Sequence, residues 1–169
     1  EVKGVSVMVH GDDYMCAGPE LALIELRTEL EKAFEIKSQI LGEANHLEKE
    51  CKILNRIVRC TEHGWEMEAD QRHGEIIVKV LKLEDSKGLT TPGVDEPVPE
   101  GDEALSGWQL TQYRSLAARA LYLSLDRPDI QFAVKELCRS MTAPTQFSWR
   151  GLVRVGKYLR LRPRLVMKY

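Results

Sequence analysis

Residues 5 to 16 read Val-Ser-Val-Met-Val-His-Gly-Asp-Asp-Tyr-Met-Cys, and no other stretch restricts the fold of the chain as much. Val5, Val7 and Val9 recur with the two-residue period of a strand, which places them on one face. His10 to Asp13 then supplies turn chemistry, because Gly11 and Asp12 suit the central positions of a tight turn, and Tyr14-Met15-Cys16 resumes an apolar run. The expected structure is a β-hairpin with two adjacent carboxylates, Asp12 and Asp13, at its tip.

Gly18-Pro19-Glu20 reads as a helix start, with proline near the first turn and an acid facing the positive end of the dipole. Leu23, Leu26, Leu30 and Ala33 continue at helical spacing and predict a helix to about Ala33 that lays this stripe on a sheet. Phe34 to Leu41 reads as strand-like. A second hairpin is expected from extended runs near Lys52 to Cys60 and Trp65 to Ala69, with Gly64 in the turn, although Glu48-Lys49-Glu50 is equally compatible with helix. Asp70 or Gln71 opens a helical stretch to Leu83.

From Gly88 to Gly107, prolines 92, 97 and 99 and several acids have few apolar partners, so residues 84–107 read as an exposed linker. Trp108 to Leu125, Asp129 to Met141 and Gln146 to Leu161 then read as three helices, separated where Pro128 and Pro144 stop helix propagation. Their predicted shared core is Leu116, Leu121, Leu125, Ile130, Val134, Leu137, Leu152, Val155 and Leu159. The expected class is α+β, with residues 1–83 mixed, 84–107 a linker and 108–169 helical.

The chain of 169 residues has room for one domain or two small subdomains. At 43% hydrophobic and 30% charged residues it is built to fold rather than to stay disordered. No apolar run approaches the roughly 20 residues of a membrane helix, and Glu1 to Gly4 is not expected to begin a signal peptide. Cys16, Cys51, Cys60 and Cys138 are scattered without a C-x-x-C pair, which predicts reduced thiols and an intracellular protein. Cys60, His63 and His73 lack a convincing fourth zinc ligand. The net charge of -2 conceals a tail with no acid after Glu136, which suits either a polyanion or plain solvation.

Paired carboxylates on a rigid turn can hold magnesium or manganese through oxygen ligands while substrate phosphates complete the shell. Two such ions ~4 Å apart serve phosphoryl transfer, and the pair then needs a third carboxylate. Taken alone, the spacing points to an ordinary turn, since aspartate is among the commonest turn residues. The box VMVHGDDYM, an apolar strand, an Asp-Asp turn and an apolar strand, resembles the catalytic hairpin of reverse transcriptases. Beyond it, KAFEIKSQILGEANHLEKECKILNRI, EADQRHGEIIVKVL, LTTPG, YRSLAARALYLSLDRPDIQFAVKELCRSMTAPTQFSW and RGLVRVGKYL follow in the order of copia-type retrotransposon Pol polyproteins. The resemblance covers essentially the whole chain. It is most specific from Tyr113 through Arg127-Pro128-Asp129-Ile130 to Trp149.

The resemblance implies a partial reverse-transcriptase palm, then a small helical thumb and connection bundle. Asp12 would be the principal metal ligand and Asp13 its partner. Leu54, Asn55 and Arg56 resemble the primer grip, with a plain sheet edge as the other reading. The helix bearing Arg114, Ala118 and Tyr122 on one face resembles the thumb helix that follows a template-primer duplex, unless Tyr122 is simply core. Arg150, Arg154 and Lys157 would add basic contacts. Implied partners are an RNA or DNA template-primer duplex, deoxynucleoside triphosphates and the remainder of the Pol polyprotein, in the cytoplasm within a virus-like particle or in the nucleus, with no membrane. His10 and Gly11 depart from the aromatic and small aliphatic residues usual in the box. The third palm aspartate and the fingers are expected upstream of Glu1, so the chain by itself is not expected to polymerise DNA. A decayed element retaining only nucleic-acid binding, and an unrelated α+β interaction module, remain as alternatives.

Overall fold

A computed structural model describes residues 4–169, so the reading of the first residues as no signal peptide falls largely on residues 1–3, outside the described residues. The elements are β1 (Ser6–His10), β2 (Asp13–Ala17), α1 (Glu20–Ala33), β3 (Glu50–Ile53), β4 (Arg56–Thr61), β5 (Gly64–Glu68), α2 (Arg72–Val80), α3 (Gly107–Ser124), α4 (Pro128–Arg139), α5 (Gln146–Leu161) and β6 (Val166–Lys168). The class is α+β, as expected. Among the described residues β1 and β2 form one antiparallel sheet, and a second sheet has the order β3-β4-β5-β6. Contacts divide the chain into Glu1–Cys51 with Arg59–Gly64, and Lys52–Val58 with Trp65–Tyr169. The boundaries expected at 83/84 and 107/108 thus fall inside the second unit, which groups α2 with α3, α4 and α5.

In the first unit the hairpin forms where the alternation places it, with His10 paired to Asp13 and Ser6 to Ala17. Gly11 has φ 63, the left-handed value a tight hairpin turn demands at its first central position and which glycine adopts without strain. α1 starts on Pro19 with Glu20 in its first turn and runs to Ala33 with Lys32 near its end, as its dipole favours. The predicted stripe is not buried, because no residue of α1 is. Val9 is 56% exposed, and Cys60 is the one buried apolar side chain of this unit among the described residues. Phe34 to Leu41 is a correction: it makes no strand, only an isolated bridge from Leu41 to Glu48. The backbone beyond finds local partners instead, with the Lys49 ammonium donating to the carbonyls of Gly42, Glu43 and Ala44 at 2.7–2.9 Å.

In the second unit, α3, α4 and α5 match the expected helices to within two residues. Pro128 sits in the first turn of α4, and Thr145 and Ser148 form a capping box at the start of α5. Ile130, Val134, Leu137, Leu152, Val155 and Leu159 are buried as predicted. Leu121 and Leu125 are corrections, at 47% and 64% exposed. The buried stripe of α3 is Tyr113, Leu116, Ala117, Ala120 and Leu123, whose spacings of three and four keep one helical face, whereas steps of five and four drift off it. Two alanines in that stripe let neighbouring helices approach closely. The buried Tyr113 hydroxyl donates to Leu137 O at 2.7 Å, and burial pushes its pKa up to about 12.

α2 ends at Val80, before the expected Leu83. Lys82 enters the left-handed region at φ 55, and its N–H and that of Leu83 bond to Lys79 O and Val78 O, the two bonds that close a Schellman cap. Residues 84–106 carry no helix or strand, yet they are pinned: Leu89 N donates to Lys157 O, Leu105 N to Pro144 O, and Asp102 Oδ1 accepts from Phe147 N at the start of α5. The last strand, β6, was not foreseen. It pairs with β5 through Glu66↔Lys168, Met67↔Met167 and Glu68↔Val166.

A buried guanidinium directs the chain to that strand. Arg127 is 2% exposed and makes a side-on pair with Asp129 through Nε at 2.9 Å and Nη2 at 2.7 Å. Its remaining donors reach Arg162 O at 2.9 Å and Pro163 O at 3.2 Å. Burial alone would raise the Asp129 carboxyl, but the hydrogen bonds from Arg127 and Tyr158 outweigh it and hold the group below the usual carboxylate range. Glu68, also buried, takes Arg164 the same way at 2.6 and 2.8 Å.

Arg127→Ala strands the half-buried Asp129 carboxylate and should cost about 3 kcal/mol in chemical denaturation at neutral pH. Asp129→Asn should cost less. Because the folded Asp129 pKa is depressed, its contribution is complete above the unfolded value of about 3.9 and is lost as pH falls through the folded value, so the gap between wild type and Asp129→Asn should close in that acid range. Lys82→Gly relieves a left-handed non-glycine and should raise stability by about 1 kcal/mol in the same measurement.

Candidate metal centre and nucleic-acid interface

Asp12 occupies the second central position of the β1–β2 turn and Asp13 is the first residue of β2. Both are exposed, and among the described residues neither side chain is taken up in a hydrogen bond or ion pair. The tight turn therefore presents two carboxylates to solvent on a backbone fixed by ladder bonds on both sides. Hard oxygen donors suit magnesium or manganese, but no group of three or more His, Cys, Asp or Glu side chains comes together among the described residues. The donor chemistry fits a divalent ion, and the donor count leaves its shell open.

The remaining predicted contacts lie in the second unit. Leu54 and Asn55 are the central residues of the β3–β4 turn, with φ 47 and 67. This corrects the continuous extended run expected there: the segment is a meander of three strands with a first turn at 54–55. Two successive positive φ values define the hairpin turn whose twist matches its strands, and asparagine suits it while leucine is strained. Arg56, at the start of β4, donates through Nε to Asp126 Oδ2 at 2.7 Å with both side chains largely covered, which docks this turn on the end of α3. The structure thus brings the turn at 54–56 and the carboxy-terminal end of α3 together.

Arg114, Ala118 and Tyr122 are all exposed and share the face of α3 opposite its buried stripe. Arg114 is engaged, donating to Met141 O at 3.0 Å and Thr142 O at 2.9 Å just beyond α4, where carbonyls lack helical partners. Tyr122 is 46% exposed, so it is not a core residue, and its ring lies 4.8 Å from that of His73. On α5, Arg150 is exposed with its guanidinium over the Phe147 ring at 5.6 Å. Arg154 and Lys157 are half-buried, and Arg154 Nη2 donates to Thr91 Oγ1 at 2.8 Å.

Beside Tyr122 lie Arg119, His73 and Asp70, which the sequence did not bring together. Arg119 Nη1 contacts His73 Nδ1 at 3.2 Å, which makes that nitrogen the acceptor and leaves the proton on Nε2, 3.9 Å from Asp70 Oδ2. Burial, helped by the charges of Arg119 and Arg72 and opposed by Asp70, lowers the His73 pKa and favours the neutral ring. The Arg72 hydrogen bonds hold the Asp70 carboxyl below its usual range. The one sequence signal was the helical spacing from Arg119 to Tyr122 on α3; that α2 would bring His73 to it was not legible. Among the described residues no helix is long and apolar enough to cross a membrane.

Two curated proteins of Arabidopsis thaliana resemble parts of the chain. The retrovirus-related Pol polyprotein from transposon RE2 is 41% identical over 49 residues, 29% of this chain and 3% of that polyprotein. The retrovirus-related Pol polyprotein from transposon RE1 is 35% identical over 77 residues, 44% of this chain and 5% of that polyprotein. The matched segments are thus a small part of these polyproteins. No family model and no solved structure matches the chain. The two likenesses support an origin in a retrotransposon Pol polyprotein.

Proposed function

We propose that the chain is a segment of a copia-type reverse transcriptase, an RNA-directed DNA polymerase, in which Asp12 and Asp13 bind magnesium beside the primer end. The observation that carries this reading is the tip of the β1–β2 hairpin, where adjacent carboxylates stand exposed on a two-residue turn. The Pol likeness supports it, and so does the docking of the turn at 54–56 on α3 by Arg56 and Asp126. Divalent ions held at such a site would activate the primer hydroxyl and stabilise the leaving oxygen of an incoming deoxynucleoside triphosphate. The hairpin supplies two ligands and leaves the third to the rest of the polyprotein. Leu54, Asn55, Ala118, Tyr122 and Arg150 would meet the template-primer duplex through its backbone and shape.

Manganese titrated into the isotope-labelled chain should broaden the amide signals of residues 11–14 selectively, and an Asp12→Asn, Asp13→Asn double variant should lose the effect. Absent or uniform broadening would contradict a metal role for the tip. In a primer-extension assay with magnesium the chain alone should incorporate nothing, and template-dependent incorporation would refute the need for a third ligand from elsewhere in the polyprotein.

A further inference from the structure

Besides Arg114, whose Nε and Nη2 close on the carbonyls of Met141 and Thr142, four arginines of the second unit offer the same edge of the guanidinium, Nε with Nη2, to a neighbour. Three of them close it on a carboxylate: Arg72 on Asp70, Arg127 on Asp129 and Arg164 on Glu68. The fourth is Arg154, in the middle of α5. Its Nη2 meets one neutral hydroxyl, Thr91 Oγ1, at 2.8 Å, and its Nε is buried with no hydrogen-bond partner among the described residues. A buried donor left unpaired is costly, and no acid follows Glu136 in the sequence to take up the charge.

Thr91 is exposed and is followed by Pro92. Proline confines the residue before it to extended backbone, the form in which a peptide enters a kinase cleft, and it has no N–H to present at the next position. The neighbouring Thr90 is also exposed but precedes threonine rather than proline. Thr91 belongs to a segment without helix or strand, held to α5 by Leu89 N on Lys157 O and by the Arg154 contact itself, so few bonds need open for a kinase to reach it.

From this geometry we infer that Thr91 is a phosphorylation site for a proline-directed protein kinase and that Arg154 receives its phosphate. The γ-phosphoryl group of ATP passes to Thr91 Oγ1, the hydroxyl proton goes to the kinase base, and ADP leaves. The ester places three acceptor oxygens and a charge of about -1.5 to -2 beside the open guanidinium edge, where one hydroxyl oxygen now stands. Nε and Nη2 then close on phosphate as the three sister arginines close on carboxylate. The modified residue ties residues 89–92 more firmly to α5 and subtracts positive charge from the face that carries Arg150 and Lys157. This inference is independent of the polymerase reading.

The test treats the folded chain with a proline-directed kinase and ATP, locates the phosphate by mass spectrometry and follows it by phosphorus NMR across pH. Phosphate should appear on Thr91, persist in Thr90→Ala and vanish in Thr91→Ala. Its second ionisation should titrate at least about half a unit lower in the folded chain than in urea. Arg154→Gln should abolish that difference, and Arg154→Lys, which keeps the charge without the fork, should retain part of it. A folded chain that takes no phosphate on Thr91, or a titration that is the same folded and in urea, would overturn the assignment.

Discussion

The desolvation of Arg127 governs how the second unit is put together. A guanidinium removed from water must satisfy its donors within the protein or cost several kcal/mol. Here Asp129 takes one edge while the carbonyls of Arg162 and Pro163 take what remains. Those carbonyls follow the end of α5, so the start of α4 decides where the chain goes next. It turns back along β5 as β6, and the Glu68–Arg164 pair secures the turn from the sheet side. Three helices and a sheet are joined in this way by a few charge-assisted bonds around an apolar core.

The two units are stabilised by different means. The second has the buried stripe of α3 packed with Ile130, Val134, Leu152, Val155 and Leu159. The first relies on ladder bonds and local polar contacts such as Lys49 to three carbonyls and His46 to Glu20, with the valines of β1 in solvent. Elements with few buried apolar contacts open at low free energy. The acidic tip thus sits on a part of the chain whose backbone is well determined by its turn and whose packing is sparse. This places the carboxylates in water, where a cation can reach them.

Much of this architecture was legible because it rests on local rules. The hairpin followed from alternation and Gly11, α1 from Pro19 and Glu20, and α3 to α5 from prolines at their junctions. What was missed depends on partners distant in sequence. β6 is three residues whose pairing is set by Arg127 and Glu68, and nothing in Val-Met-Lys announces a strand. The turn at Leu54–Asn55 was hidden because leucine is a poor choice for a left-handed position. Leu121 and Leu125 looked like core because apolar residues usually are, yet the face of α3 they occupy is turned to solvent. At the candidate site, Asp12 and Asp13 were placed as the turn chemistry required. The internal use of Arg114 and Arg154 depended on where Met141 and Thr91 would fall.

On the reading proposed above, the chain meets a nucleic-acid duplex. Affinity for an RNA–DNA duplex, followed by anisotropy as salt is varied, tests it most directly. Binding should weaken linearly in log salt with a slope of magnitude about 2 or more, and Arg150→Ala should reduce that slope by about one without unfolding the chain. Absence of binding at low salt, or binding indifferent to salt, would contradict it.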